Sequence, residues 1–207
     1  MKRLFDLIIS FLAIIALAPV MIIIAVIIKI QNQGSVIFKQ KRVGKDNKDF
    51  MIYKFRSMYE YAPEVASNDL ENPDAYITPI GKILRKTSLD ELPQLFNILK
   101  GDMSLVGPRP VINDESEREL LNRRTELGIY KLVPGLTGWA QINGRDDMSV
   151  ERKIFLEQEY MNKKNLLFDF KILLATFFKV FKQEGVVEGT NITSRDDKNN
   201  KKVKNVI

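Results

Sequence analysis

The stretch LIISFLAIIALAPVMIIIAVII, residues 7–28, carries no charged side chain. At about 1.5 Å per residue a straight helix over it reaches about 33 Å, enough to cross a hydrocarbon core of about 30 Å. Pro19 stands near its middle, where it removes one backbone hydrogen bond and crowds the preceding turn, so the helix is expected to bend there. Each arm is then too short to span, at about 18 Å for Leu7–Ala18 and about 15 Å for Pro19–Ile28. Lys2 and Arg3 precede the segment, and Lys29, Lys39, Lys41, Arg42 and Lys45 follow it. The positive-inside rule therefore pulls both ends to the cytoplasm, and a re-entrant helix satisfies both pulls. A plain span kinked at Pro19 stays open as the alternative. A cleaved signal peptide fits poorly, because the apolar run is too long and no small-x-small site follows.

Outward from this anchor, Gln31 to Tyr59 alternates short apolar runs with turn residues at Gly44, Asp46 and Asn47, the pattern of a β-hairpin with Lys54 and Arg56 at a strand end. Residues 60–79 are polar and contain Pro63, Pro73 and Pro79, which suggests a long surface loop. Gly81 to Leu99 repeats Leu92, Leu95, Phe96 and Leu99 at helical spacing, with Gly101 placed to stop the helix. Asn113 to Arg124 is a charged, helix-prone stretch expected to be solvated over most of its surface. Pro134, Gly135, Gly138 and Gly144 mark turns around Trp139 and Gln141. Leu166 to Phe181 reads either as a helix lying on a membrane surface or as a core helix. Residues 191–207 read as a disordered tail. The expected division is a membrane helix over 1–30, a cytosolic catalytic domain over 31–190, and the tail.

The 207 residues contain no cysteine and no histidine. That removes disulfides, thiolate nucleophiles, Cys/His zinc sites and imidazole acid–base chemistry together. Thirty-two Lys and Arg against 26 Asp and Glu leave a net charge of +6, which suits anionic partners. Neither G-x-G-x-x-G nor a P-loop is present, so Rossmann and P-loop readings have no support.

The chemistry concentrates in Thr87-Ser88-Leu89-Asp90-Glu91-Leu92-Pro93. Adjacent carboxylates at a helix start suit a hard divalent cation, or one of them can attack a neighbouring electrophile. Pro93 supports a first-turn placement. Capping is the competing explanation: Thr87 to Asp90 and Ser88 to Glu91 both have capping-box spacing, and Asp90 fits an N-cap. Lys54, Arg56, Arg85, Arg109 and Arg145 are candidate phosphate ligands, and in Pro108-Arg109-Pro110 the flanking prolines present the guanidinium with little entropy left to lose.

Three long motifs then carry a resemblance over nearly the whole chain. They are Tyr53-Lys54-Phe55-Arg56-Ser57-Met58, the run Thr87 to Pro110 that ends in Gly107-Pro108-Arg109-Pro110, and Val133 to Arg145 with Gly138-Trp139-Ala140-Gln141 at its centre. The chain resembles the bacterial sugar transferases known as small monotopic phosphoglycosyl transferases. That resemblance implies an α+β fold. In it, a re-entrant membrane helix bent at Pro19 joins a mostly helical cytosolic domain with a small hairpin or sheet and amphipathic interfacial helices. It also implies transfer of a sugar 1-phosphate from a UDP-sugar to polyprenol phosphate, such as undecaprenyl phosphate, at the cytoplasmic face of the inner membrane. UMP is released, as a first membrane step of glycoconjugate or polysaccharide synthesis that feeds downstream glycosyltransferases.

By position the resemblance makes Asp90 the nucleophile and Glu91 a ligand of Mg²⁺, with Mn²⁺ as the substitute. Arg109 binds phosphate, and Arg85, Lys54, Arg56 and Arg145 line the site. No nucleic acid partner is implied. The chain departs from the family pattern at Ala18, where a serine usually precedes the proline, and at Glu157, where aspartate is more usual; Asp169 is retained. Ionised carboxylates need no general base, so a chain without histidine suits a ping-pong reaction through an aspartyl intermediate. The rival from another class is a non-catalytic membrane scaffold whose basic patches bind anionic lipids.

Overall fold

A computed structural model describes residues 1–32, 34–63, 72–144 and 148–182. The fold is α+β. Helix α1 (Lys2–Gln31) is followed by strands β1 (Ile37–Val43) and β2 (Asp49–Phe55), then helices α2 (Pro79–Thr87) and α3 (Gln94–Lys100). Strand β3 (Ser104–Val106), helix α4 (Arg118–Glu126), strand β4 (Gly135–Thr137) and helices α5 (Trp139–Asn143), α6 (Val150–Lys163) and α7 (Leu166–Lys182) complete it. The tail expected over 191–207 lies outside the described residues, as does part of the loop expected over 60–79.

Residues 5, 13, 14, 17, 21, 24, 25 and 28 of α1 recur at helical spacing and face the domain. Phe5, Ala13, Ile14 and Leu17 pack on a core of Ile52, Leu95, Ile98 and Met103, while Ile24 and Ile28 join Phe55 and Leu84. The other face, with Leu4, Ile8, Phe11, Leu12, Ile15 and Ile22, is exposed. Among the described residues α1 is the one helix long and apolar enough to cross a membrane, and only 11% of its most apolar window is buried.

Helical structure carries across Pro19, and both ends of α1 are fastened to the same domain. At the start, Arg3 donates to the Ile98 and Leu99 carbonyls at 2.5 and 2.9 Å, and Asp6 accepts from Ser104 Oγ at 2.8 Å. Lys2 Nζ lies 2.6 Å from Asp169, which also accepts from the Tyr160 hydroxyl at 2.8 Å. At the far end, Asn32 donates to the Met58 carbonyl at 3.3 Å, and Gln31 accepts from the Ile80 amide at 3.3 Å.

The expected hairpin is present, in antiparallel register from Ile37 opposite Phe55 to Val43 opposite Asp49. Asp46 and Asn47 turn it with φ of 57° and 56°, a region these two residue types tolerate better than most. The second sheet is a parallel pair, Ser104 beside Gly135 and Val106 beside Thr137, in a segment the sequence reads only as turns. Glycine is required at this junction. A Cβ on Gly135 would stand 2.1 Å from the Gly107 nitrogen, and one on Gly107 would stand 2.3 Å from the Val133 carbonyl oxygen. This close approach fixes the chain that enters Pro108-Arg109-Pro110.

Helix α4 starts at Arg118, later than the sequence pattern suggests, and is mostly exposed as expected, with two residues turned inward. Leu120 packs with Val111, Ile129 and Ile154, and Arg124 is buried against Glu157 of α6. Helix α7 buries Asp169 and Ile172 against the domain, while Leu167, Phe170, Leu174, Phe177 and Phe178 are exposed.

Candidate active site

The segment carrying Asp90 and Glu91 is not the first turn of a helix, as its sequence suggests, but a 3-10 turn (Leu89–Glu91) between α2 and α3. Thr78 caps α2 by accepting from the Gly81 amide at 3.0 Å, and Pro79 follows it. Ser88 then takes a left-handed conformation, φ 55°, and reverses the chain. Pro93 has no N–H to offer the Leu89 carbonyl, so α2 cannot run on into α3. Leu89 and Leu92 turn inward onto Leu84 and Phe55, which leaves the two acids facing the hairpin. Neither capping box forms: Thr87 Oγ1 bonds back to the Ile83 carbonyl at 2.7 Å, and Ser88 caps nothing with its side chain.

Asn97 of α3 locks this turn to the hairpin. Its fully buried amide accepts from the Tyr53 amide at 3.0 Å and donates to the Met51 carbonyl at 2.7 Å, so it pairs with β2 as a neighbouring strand would. Sequence reasoning passed over it, since one asparagine inside an apolar repeat carries no long-range signal.

The hairpin delivers Lys54 to the acids, with Nζ 2.7 Å from Glu91 Oε1 and 3.9 Å from Asp90 Oδ2. Arg109 Nη1 stands 3.6 Å from the same Glu91 oxygen. Burial raises the Glu91 carboxyl, but Lys54, Arg109 and a hydrogen bond from Gln94 together outweigh it and bring it down to about 2. Asp90 moves the other way: burial pushes its carboxyl up, helped by the charge of Glu91, against the pull of Lys54 and Arg85. Two adjacent acids are thus shifted in opposite directions, Glu91 down by its ion pairs and Asp90 up by burial. Burial lowers Arg85, and Asp90 acts against that shift; Arg85 Nε donates to Ser57 Oγ at 2.9 Å.

Of the residues expected in the site, Asp90, Glu91, Lys54, Arg85 and Arg109 are therefore brought together. Arg56 pairs with Glu60 at 3.3 Å and with neither acid. Arg145 lies outside the described residues. No group of three or more acidic side chains that could hold a metal ion occurs among the described residues.

A profile described as bacterial sugar transferase matches residues 1–183. The chain belongs to the bacterial sugar transferase family. The chain is 41% identical over 186 residues to an undecaprenyl-phosphate glucose phosphotransferase of Komagataeibacter xylinus, covering 84% of this chain and 35% of that protein. It is 39% identical over 188 residues to a UDP-glucose:undecaprenyl-phosphate glucose-1-phosphate transferase of Escherichia coli, covering 87% and 40% respectively. The uncharacterized sugar transferase EpsL of Bacillus subtilis is 37% identical over 194 residues, 94% of both chains. The chain thus spans well under half the length of the first two relatives and nearly all of the third.

One further cation belongs to this neighbourhood. The sequence reading counts Arg42 only among the charges that follow the apolar segment, but the hairpin register puts it on the face of Lys54, near enough for the charge of Arg109 to act on it. Burial, and next the charge of Arg109, bring its guanidinium down to about 10, still protonated at neutral pH. Hairpin alternation contains the signal for it. Residues directly opposite in an antiparallel pair share a face, so Arg42, Gln40 and Phe38 lie on the face that carries Phe50, Ile52 and Lys54.

Proposed function

We propose that this sugar transferase moves a sugar 1-phosphate from a UDP-sugar to polyprenol phosphate, undecaprenyl phosphate in particular, in two steps through Asp90. In the first step an Asp90 carboxylate oxygen attacks the sugar-bearing phosphorus; the bond from that phosphorus to the bridging oxygen breaks, and UMP leaves with the electron pair. In the second a phosphate oxygen of the polyprenol attacks the same phosphorus and the Asp90 bond breaks, giving a polyprenyl-diphosphate sugar. The observation that carries this reading is the buried carboxylate of Asp90, 3.9 Å from Lys54 and close to Arg85, inside a cluster of cations. A cap or a surface acid has no use for such surroundings; a nucleophile that must approach a diphosphate does.

Glu91, with Asp90 beside it, would supply carboxylate oxygens to a hard cation such as Mg²⁺ or Mn²⁺. When bound there, such an ion would supply positive charge against the diphosphate. Lys54 and Arg109 hold Glu91 ionised for that role and stand ready to pair with phosphate oxygens.

The exposed apolar face of α1 and the exposed aromatic residues of α7 support a reading in which the chain sits in the membrane surface. The bonds of residues 2–6 and of residues 31–32 to one domain support a monotopic reading, with both ends of α1 on the cytoplasmic side. The test is incubation with a panel of UDP-sugars and no acceptor, followed by intact mass. One donor is expected to leave a phosphosugar on Asp90 and release UMP, and Asp90→Asn to do neither. UMP release that survives Asp90→Asn would overturn the proposal.

A further inference from the structure

We infer that Arg42 is a further phosphate-binding residue of this site, closing together with Arg109 on the diphosphate of the donor. The inference rests on the proposed donor class and adds a residue to it. Three observations support it. The strand register puts Arg42 on the hairpin face that delivers Lys54 to Glu91, and the Val43 amide bonds the Val111 carbonyl at 2.9 Å, tying the end of β1 to the segment that carries Arg109.

Next, the Arg42 guanidinium is only partly used: Nη2 donates to Gln40 Oε1 at 2.7 Å, while Nε is buried with no hydrogen-bond partner. A buried charged donor without an acceptor is costly, and its usual resolution is an anion. Finally, two guanidinium groups repel in a desolvated place, and the acids acting on Arg42 are Glu117, Asp114 and Glu91, each weaker in effect than Arg109. A dianion between Arg42 and Arg109 removes the repulsion and fills the idle donor at once.

A structural arginine and a ligand-binding one differ in what their loss does to the empty protein. Full-length wild type, Arg42→Gln and Arg42→Lys, each in detergent with Mg²⁺, are titrated with UDP and separately with inorganic pyrophosphate, and their ligand-free melting temperatures are measured. Arg42→Gln is expected to weaken UDP and pyrophosphate binding at least about tenfold, with Arg42→Lys intermediate. The ligand-free melting temperature should be unchanged or higher, because a repulsion has been removed. UDP affinity within twofold of wild type overturns the inference, and so does a marked fall in the ligand-free melting temperature of Arg42→Gln. Wild type that binds pyrophosphate through Arg42 but ignores UDP leaves Arg42 its role and overturns the donor class instead.

Discussion

Removing the carboxylate of Glu157 tests the frame that holds Arg109. Arg124 and Glu157 form a two-pronged pair, Nε to Oε2 at 2.8 Å and Nη2 to Oε1 at 2.5 Å, with the residues 7% and 3% exposed. The same Nη2 donates to the Arg109 backbone carbonyl at 3.0 Å. Glu157→Ala leaves a guanidinium buried without its counter-ion, a change that costs about 3–5 kcal/mol. At about 2–4 °C per kcal/mol for a chain of this size, the melting temperature should fall by roughly 6–20 °C.

Trp139, the one tryptophan, packs on Phe168 at 4.9 Å and bonds Glu159, so its fluorescence reports the unfolding of this region. The double variant Arg124→Met/Glu157→Leu should recover most of the lost stability, since apolar residues of similar size commonly replace a buried pair without loss. It should not recover donor affinity, because the bond to the Arg109 carbonyl is gone. A fall of under about 2 °C for Glu157→Ala would mean the pair contributes less than about 1 kcal/mol, and the argument for a rigid Arg109 would fail.

Two other expectations follow from the site. Burial raises Asp90 and Lys54 lowers it, so the acid limb of the first-step rate rises with pH as Asp90 ionises; Lys54→Met should move that limb to higher pH, and rapid-quench UMP release across pH would show no displacement if Lys54 does not act on Asp90. Asn97→Ala strands the Tyr53 amide and the Met51 carbonyl and should cost about 2–5 kcal/mol, read as a lowered denaturation midpoint, whereas a loss below about 1 kcal/mol would mean β2 does not depend on this side chain.

The parts of the fold legible in the sequence are those whose period repeats over many residues: the apolar run of α1, the alternation of β1 and β2, and the spacing of α7. The parallel pair of β3 and β4 was not legible, because three-residue strands separated by α4 leave no local pattern. The break at Ser88 was written mainly in Pro93, since a serine gives no advance sign of a left-handed conformation. In the site, long motifs marked Asp90, Glu91, Lys54, Arg85 and Arg109, but the use of each depends on distance. Arg56 sits in the same motif as Lys54 and faces Glu60, whereas Arg42 lies outside every motif and shares the hairpin face of Lys54.

The charge balance explains why so many cations gather around so little acid. At the centre, Asp90 and Glu91 supply two negative charges against four positive ones from Lys54, Arg85, Arg109 and Arg42, while Asp74, Asp114 and Glu117 act on Arg85 and Arg42 from further out. An empty site of this kind carries an excess of like charge in a poorly solvated place, which costs stability. The excess becomes useful when a diphosphate arrives. Its negative charge would otherwise drive the already raised Asp90 carboxyl further towards its neutral form, at the moment an ionised oxygen is needed for attack. Cations in surplus offset the incoming charge, so Asp90 can stay ionised beside it. A site with cations matched one to one against its own acids would be more stable when empty, and would lose its nucleophile on binding.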